Sequence, residues 1–451
     1  MSQNQSFRSA FIAVTSLFFM WGFITVIVDA FIPRLKDVFE LTYVQAGLVQ
    51  FAWFSAYGLL SIPGGIMIRN VGYKKGIMIG LGTAAVGCLM FYPAAGQRVF
   101  TLFLAAFFVV GAGLTVLQVA ANPYISVLGD PERASSRLNL AQAFNSLGTT
   151  IAPIISATYL LSDKIKTSTE QANLDDAARE AYYASEAAAV QGPFLALAGG
   201  FLLLAGLIAA VKLPKILGTS NDTDAVESGS GAWAGYARVL KDNRLRYGAI
   251  GIFVYVGAEV ALSSYMVNYG LHLGMQDAVQ SSPILRNLAE FSAFLKGNQL
   301  KDMDPKAIVG VLLALYWGGA MLGRFIGSIL MRSIAANRLL TIFGGIAGGL
   351  VLLSIVTSGT TAFLSLLGVG LFNSIMFPTI FSLGISKLGN DTPYGSGILC
   401  TAIVGGAFIP PTLGVLVDAS GWAVALMLPI VCYAYIAWYG RAKFQRDTAS
   451  A

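Results

Sequence analysis

The sequence predicts an all-α membrane protein of twelve transmembrane helices, arranged as two pseudo-symmetric halves of six. Three observations carry that expectation. Of the 451 residues, 56% are hydrophobic and only 12% charged, about half the charged share of a soluble domain. Apolar runs close to the length that crosses a bilayer, about 20 residues, recur twelve times along the chain. Short segments of the first half reappear, in order, in the second. This composition excludes a soluble enzyme, a nucleic-acid binder and a disordered scaffold. The formal charge of +6 then reports topology before it reports partners. Fifty glycines and 28 phenylalanines suit helices that pack closely in lipid.

The first run, 11–32, follows a polar stretch over 1–9 and is full length, so it is read as a span and not as a cleavable signal. The second, 44–68, ends on Arg69, and the third, 76–94, begins after Lys74 and Lys75. The fourth covers 100–128 and the fifth 138–161, with Arg133 and Arg137 between them. An acidic, alanine-rich stretch over 162–190, expected to be partly helical, precedes the sixth span at 193–211. The seventh and eighth are 247–269 and 307–331; the outer loop 270–306 between them holds 285–295, apolar enough for a short surface helix. Spans at 339–357, 363–388, 394–417 and 422–439 complete the set. Residues 212–246 carry Gly-Thr-Ser-Asn-Asp-Thr-Asp at 218–224 and Gly-Ser-Gly at 229–231, the composition of a flexible linker. The chain therefore divides into a half over 1–212, a cytoplasmic linker over 213–246 and a half over 247–451. None of the three polar stretches shows chemistry.

With both termini placed in the cytoplasm, that side holds 18 of the 29 Lys and Arg residues. Short outer loops keep only Arg34, Lys36 and Arg98, the asymmetry that sets orientation. Arg324 lies within the eighth span.

The repeat supports two parallel halves. Gly-Gly-Ile-Met-Ile-Arg at 64–69 recurs as Gly-Ser-Ile-Leu-Met-Arg at 327–332, an offset of 263. Pro123-Tyr-Ile-Ser-Val-Leu-Gly129 recurs as Pro378-Thr-Ile-Phe-Ser-Leu-Gly384, an offset of 255, and Gly148 and Pro153 match Gly405 and Pro410 at 257. Internal duplication of a spanning bundle is the mark of a secondary transporter.

A charge within a span costs about 2.5–3.5 kcal/mol on insertion scales, so it is rare without a use. Asp29 lies a turn before Pro33 in the first span. A low dielectric disfavours its charged form, so it can take up and release a proton as its exposure to water changes; alternatively it stays wet near the outer interface. Glu259 sits nearer the middle of the seventh span and can bond a sugar hydroxyl, take a proton, help bind sodium, or brace a neighbouring helix. Arg324 suits a gating or structural ion pair. Amides cluster in the fourth and fifth spans: Gln118 and Asn122 share one face, and Asn139, Gln142 and Asn145 another. Amides offer both donor and acceptor, as a ring of sugar hydroxyls requires, and equally serve as glue between helices. Asn373 is the repeat counterpart of Gln118. Among Trp21, Phe51, Trp53, Phe54, Tyr57, Tyr265 and Trp317, Trp21 is singled out for stacking on a sugar, two turns from Asp29. Cys88, Cys400 and Cys432 are far apart, and His272 is the lone histidine, so no disulfide framework, metal site or cofactor is expected. No phosphate-cradling loop and no nucleophile elbow occur.

Those residues bring out a resemblance that covers nearly the whole chain. Ser16-Leu-Phe-Phe-Met-Trp21, Asp29-Ala-Phe-Ile-Pro33, Gln118-Val-Ala-Ala-Asn-Pro-Tyr124, Arg137-Leu-Asn-Leu-Ala-Gln-Ala-Phe-Asn-Ser-Leu-Gly148 and Phe377-Pro-Thr-Ile-Phe-Ser-Leu-Gly384 resemble a major facilitator superfamily transporter of the fucose permease group. The resemblance implies a proton-coupled sugar importer working by alternating access in a bacterial cytoplasmic (inner) membrane. It implies proton coupling and sugar recognition at Asp29 and at a glutamate of the fourth span, and a sugar cavity at Gln142 and Asn145. This chain departs by holding Gln118 where the group has that glutamate, and Glu259 where the fucose permease has an amide. Val256-Gly-Ala-Glu259 is similar to the glucose and galactose members. The expectation is therefore import of a hexose or N-acetylhexosamine by a monomer, with ion coupling at Asp29 and Glu259. Sugar contacts are expected at Trp21, Gln118, Asn122, Gln142, Asn145, Glu259 and Asn373. A sodium symporter on the same fold, an efflux carrier and a sugar sensor without net transport are the rival readings.

Overall fold

The computed structural model describes residues 3–30, 43–97, 99–155, 173–214, 229–295 and 305–446, with side chains described except at 3–6, 27–30, 43–50, 153–155, 186–190, 229–230, 295, 305–306 and 446. Every regular element among them is helical. The first half comprises α1 (Gln3–Ala30), α2 (Tyr43–Val71), α3 (Tyr73–Gln97), α4 (Phe100–Val127), α5 (Ala134–Ile155) and α6 (Asp176–Ala210). A short α7 (Gly229–Val239) leads into α8 (Asn243–His272), followed by the small α9 (Met275–Ser281) and α10 (Pro283–Leu295). Then come α11 (Pro305–Leu330) and α12 (Ala336–Val356). The tenth pass is broken into α13 (Gly359–Asn373) and α14 (Met376–Ile385), and the eleventh into α15 (Thr392–Thr401) and α16 (Gly405–Ala425). The last pass ends in α17 (Met427–Arg441).

Among the described residues, ten helical stretches are long and apolar enough to cross a membrane. The fifth pass is described only as far as Ile155, and the twelfth is divided by a turn. In α5 the amides of Asn139, Gln142 and Asn145, with five Ser and Thr residues, dilute the apolar content. The twelfth pass starts inside α16, where Gly421 at φ 79° turns the chain; α17 itself keeps 15 residues. Only glycine adopts that backbone readily.

Two polar stretches are helical in part. Asp175 accepts from the Ala178 amide at 2.6 Å, capping α6, so the alanine-rich segment becomes the first turns of the sixth pass. Where a flexible linker is expected, residues 229–239 form a helix that buries Ala232, Tyr236 and Val239, a spacing that puts them on one face.

The repeat has a structural meaning. A Cβ on Gly148 of α5 would run into the Phe19 backbone of α1, and one on Gly405 would run into the Phe253 backbone of α8. Matched glycines thus let matched helix pairs touch backbone to backbone, one pair in each half.

The halves meet at the end of the bundle that carries the short basic loops. Ser136 Oγ donates to the Ser328 carbonyl at 2.8 Å and Ser328 Oγ returns a bond to the Ser136 carbonyl at 3.0 Å. Ser135 and Ser382 hydroxyls lie 2.7 Å apart. Asn139 Nδ2 reaches Thr379 Oγ1 at 3.2 Å, and Ser396 donates to the Val119 carbonyl at 2.9 Å.

Candidate functional site

In the first half, α2, α4 and α5 bring four polar side chains together. Gln118 Nε2 donates to Tyr57 Oη at 2.5 Å. One turn on, Asn122 Oδ1 accepts from Gln142 Nε2 at 3.2 Å. Asn122 is fully buried and its Nδ2 has no partner among the described residues. An unsatisfied buried donor costs about 1–3 kcal/mol, which a ligand or water hydroxyl would offset. Pro123 follows directly and cannot donate within the helix; the Val119 carbonyl it leaves free accepts from Ser396 of α15.

In the second half, Tyr255 Oη donates to Glu259 Oε1 at 2.6 Å, an i,i+4 pair on α8. Glu259 keeps part of its surface accessible and is attracted to the Arg324 guanidinium. The fully buried Asn373, at the last residue of α13, donates from Nδ2 to Tyr316 Oη at 2.6 Å; the Tyr433 hydroxyl lies beside it.

Arg324 joins the two clusters. Its Nε donates to the Ser374 carbonyl at 3.1 Å, in the break between α13 and α14. Nη1 crosses to the other half, donating to the Gln142 carbonyl at 3.3 Å and to the Ser146 hydroxyl. A broken spanning helix exposes backbone groups only where protein or a cavity can satisfy them, and here a guanidinium does so. Arg324 thus holds α5, α11 and the broken tenth pass together, and its positive charge is felt at Glu259.

The other expected site residues fall elsewhere. Asn145 Nδ2 donates to the Phe18 carbonyl of α1 at 2.9 Å, and Asn139 lies in the seam with Thr379. Three amides expected on one face therefore divide between a seam, a cluster and a helix pair. Trp21 is buried, its ring 5.5 Å from Phe18. Asp29 lies in the last turn of α1, and its side chain is outside the described residues. Tyr255, Tyr316 and Ser146 were not singled out in the sequence. For Tyr255 the signal was present, four residues before Glu259 on one helix face; Tyr316 and Ser146 are brought in only by tertiary packing.

Residues 10–402 match the Major Facilitator Superfamily. The chain is 45% identical over 439 residues to a glucose/galactose transporter of Brucella abortus biovar 1 (strain 9-941), covering 97% of this chain and 95% of that protein. It is 34% identical to the L-fucose-proton symporter of Escherichia coli (strain K12), over 99% of this chain and 95% of that one. It is also similar to the crystal structure of a Major Facilitator Superfamily transporter, FucP, in the outward conformation. The TM-score is 0.84 at 34% identity, covering 97% of this chain and 99% of that chain.

Proposed function

The chain belongs to the Major Facilitator Superfamily, and from that membership we propose that it imports a hexose or N-acetylhexosamine by alternating access, driven by the proton gradient. It is a sugar transporter and not an enzyme, in line with relatives named as a glucose/galactose transporter and an L-fucose-proton symporter. The observation that carries the finer reading is Arg324, which bonds to the amide-bearing α5 of one half and whose charge acts on Glu259 of the other.

In this reading Gln118, Asn122 and Gln142 present amide donors and acceptors to the sugar from the first half, with Asn145 flanking them and Trp21 backing the site. Glu259 and Asn373 approach from the second, Glu259 accepting a sugar hydroxyl. Asp29 carries the proton: its protonation removes the cost of moving a buried charge as the halves rock. Glu259 takes part in coupling through its charge, which Arg324 compensates. That guanidinium also makes Glu259 a poor ligand for sodium, since a second cation would sit against it, and this favours protons. The two halves, 1–212 and 247–451, rock about the site as units. The transporter works as a monomer in the bacterial cytoplasmic membrane with both termini inside, so the closed basic end faces the cytoplasm and the described state is outward.

Accumulation of labelled hexoses and N-acetylglucosamine in proteoliposomes, under a pH gradient without sodium, tests this. Uphill uptake of one sugar is expected, with Asp29→Asn abolishing accumulation but keeping exchange, and Glu259→Gln weakening sugar affinity. Uptake that needs a sodium gradient, or accumulation retained in Asp29→Asn, refutes the proton mechanism.

A further inference from the structure

Residues 229–239 belong to neither polar cluster, yet they are built into the contact between the halves. α7 is tied to the second half at its end: after a short turn, Asp242 accepts from the Arg244 amide at 2.7 Å and caps α8. Arg238 makes a two-armed pair with Asp391, Nε to Oδ2 at 2.6 Å and Nη2 to Oδ1 at 2.8 Å. The Tyr236 ring stands edge-on to Tyr394, centroids 4.9 Å apart. All of these partners are in the second half, and together they fix where the Tyr236 hydroxyl points. It points at the first half, donating to the Ile62 carbonyl of α2 at 2.6 Å.

The helices on either side are shaped around that hydroxyl. A Cβ on Gly65 of α2 would lie 2.5 Å from Tyr236 Oη and 2.7 Å from the Pro393 carbonyl. A Cβ on Gly397 of α15 would lie 2.8 Å from the same hydroxyl and 2.8 Å from the Ser61 carbonyl. One tyrosine oxygen therefore fills a gap that two glycines leave between α2 and α15. The gap exists only while these helices are together.

We infer that Tyr236, oriented by the Arg238–Asp391 pair and the Tyr394 ring, is a positioning residue of the transport cycle that fastens α2 to α15 and lets go whenever the basic end opens. The inference rests on the transporter reading for the existence of a cycle. The segment is thus a strap carried by the second half, with a single hydrogen-bonding hydroxyl grasping the first.

A native reporter sits at the same seam. Cys400 is fully buried on α15, three residues after Gly397, where that helix closes on the Tyr236 hydroxyl. With Cys88 and Cys432 replaced by alanine, the rate of its alkylation by N-ethylmaleimide in proteoliposomes reads how often the seam opens. Tyr236→Phe keeps the ring and removes the grasping hydroxyl, and is expected to raise that rate roughly fivefold, the worth of one hydrogen bond. Arg238→Asp is expected to raise it as well, and combining it with Asp391→Arg to bring it back toward the starting value. Sugar exchange in Tyr236→Phe is expected to change in maximal rate and not in KM, which a generally loosened fold would not produce. An unchanged alkylation rate in Tyr236→Phe, or a charge swap that recovers nothing in folded protein, overturns the inference. Alkylation needs no sugar: if the native protein accumulates none, the transport reading fails while the strap is still measured.

Discussion

The two halves are joined at the basic end by two seams that occupy equivalent places in the repeat, and they are fastened differently. The offset of 263 that relates 64–69 to 327–332 pairs Gly65 with Ser328. The offset of 257 that pairs Gly148 with Gly405 also pairs Ser136 with Pro393. At one seam Ser136 and Ser328 exchange hydrogen bonds; at the other, Gly65 and Pro393 meet backbone to backbone. The serine seam is self-sufficient and gains Arg324 deeper in the bundle. The glycine seam has no side chain at Gly65 with which to bond, and the Tyr236 hydroxyl from outside the repeat does that work. Duplication thus supplies the positions, and each copy has found its own chemistry for holding the basic end closed.

The largest effect should come from the serine seam's deep member. Arg324→Met removes every bond between Arg324 and α5 and leaves Glu259 without its cation. Stripping a charged donor from its carbonyl and hydroxyl partners costs about 1.5–3 kcal/mol per hydrogen bond. Sugar exchange is expected to fall by about 100-fold or more, with Arg324→Lys recovering only part, since an ammonium cannot span Ser374, Gln142 and Ser146 as a planar fork does. Exchange at the native rate in Arg324→Met would break the comparison by showing this seam to be passive. Next comes Gly65→Val at the other seam. Its Cβ alone would lie 2.5 Å from Tyr236 Oη, and overpacking of this kind costs about 1–3 kcal/mol. Cys400 alkylation is expected to rise by about tenfold or more, and an unchanged rate would mean that the helices are not in fact closed on that glycine.

How much of this was legible beforehand follows the range of the interactions. The twelve passes and the halves could be read because hydropathy and duplication are properties of contiguous sequence. Glu259 and Arg324 stood out because a charge in an apolar run is visible without knowing its partner. Partners were not visible. Asn139, Gln142 and Asn145 share one face on helical spacing, yet they turn to Thr379, Asn122 and the Phe18 carbonyl, on three different helices. Spacing along a helix says which residues point together, not what stands opposite. The segment over 229–239 read as linker because two glycines and a serine open it, while Ala232, Tyr236 and Val239, which form its buried side, are too few to register as a span.

The smallest expected effect tests whether the two seams move as one. Ser136→Ala removes a single donor to the Ser328 carbonyl, worth about 1 kcal/mol, and touches nothing at α2 or α15. If each half is a rigid body, the closed state is one state, and weakening either seam must raise its opening by the same factor wherever opening is read. Alkylation of Cys400, at the opposite seam, is then expected to rise roughly fivefold in Ser136→Ala. Combining it with Tyr236→Phe should multiply the two factors, because sites without shared partners add in free energy. If Ser136→Ala leaves Cys400 untouched while Tyr236→Phe exposes it, the seams open independently. The strap would then govern a local gate at α2 and α15, and the rocking of whole halves would be the wrong description of how the basic end opens.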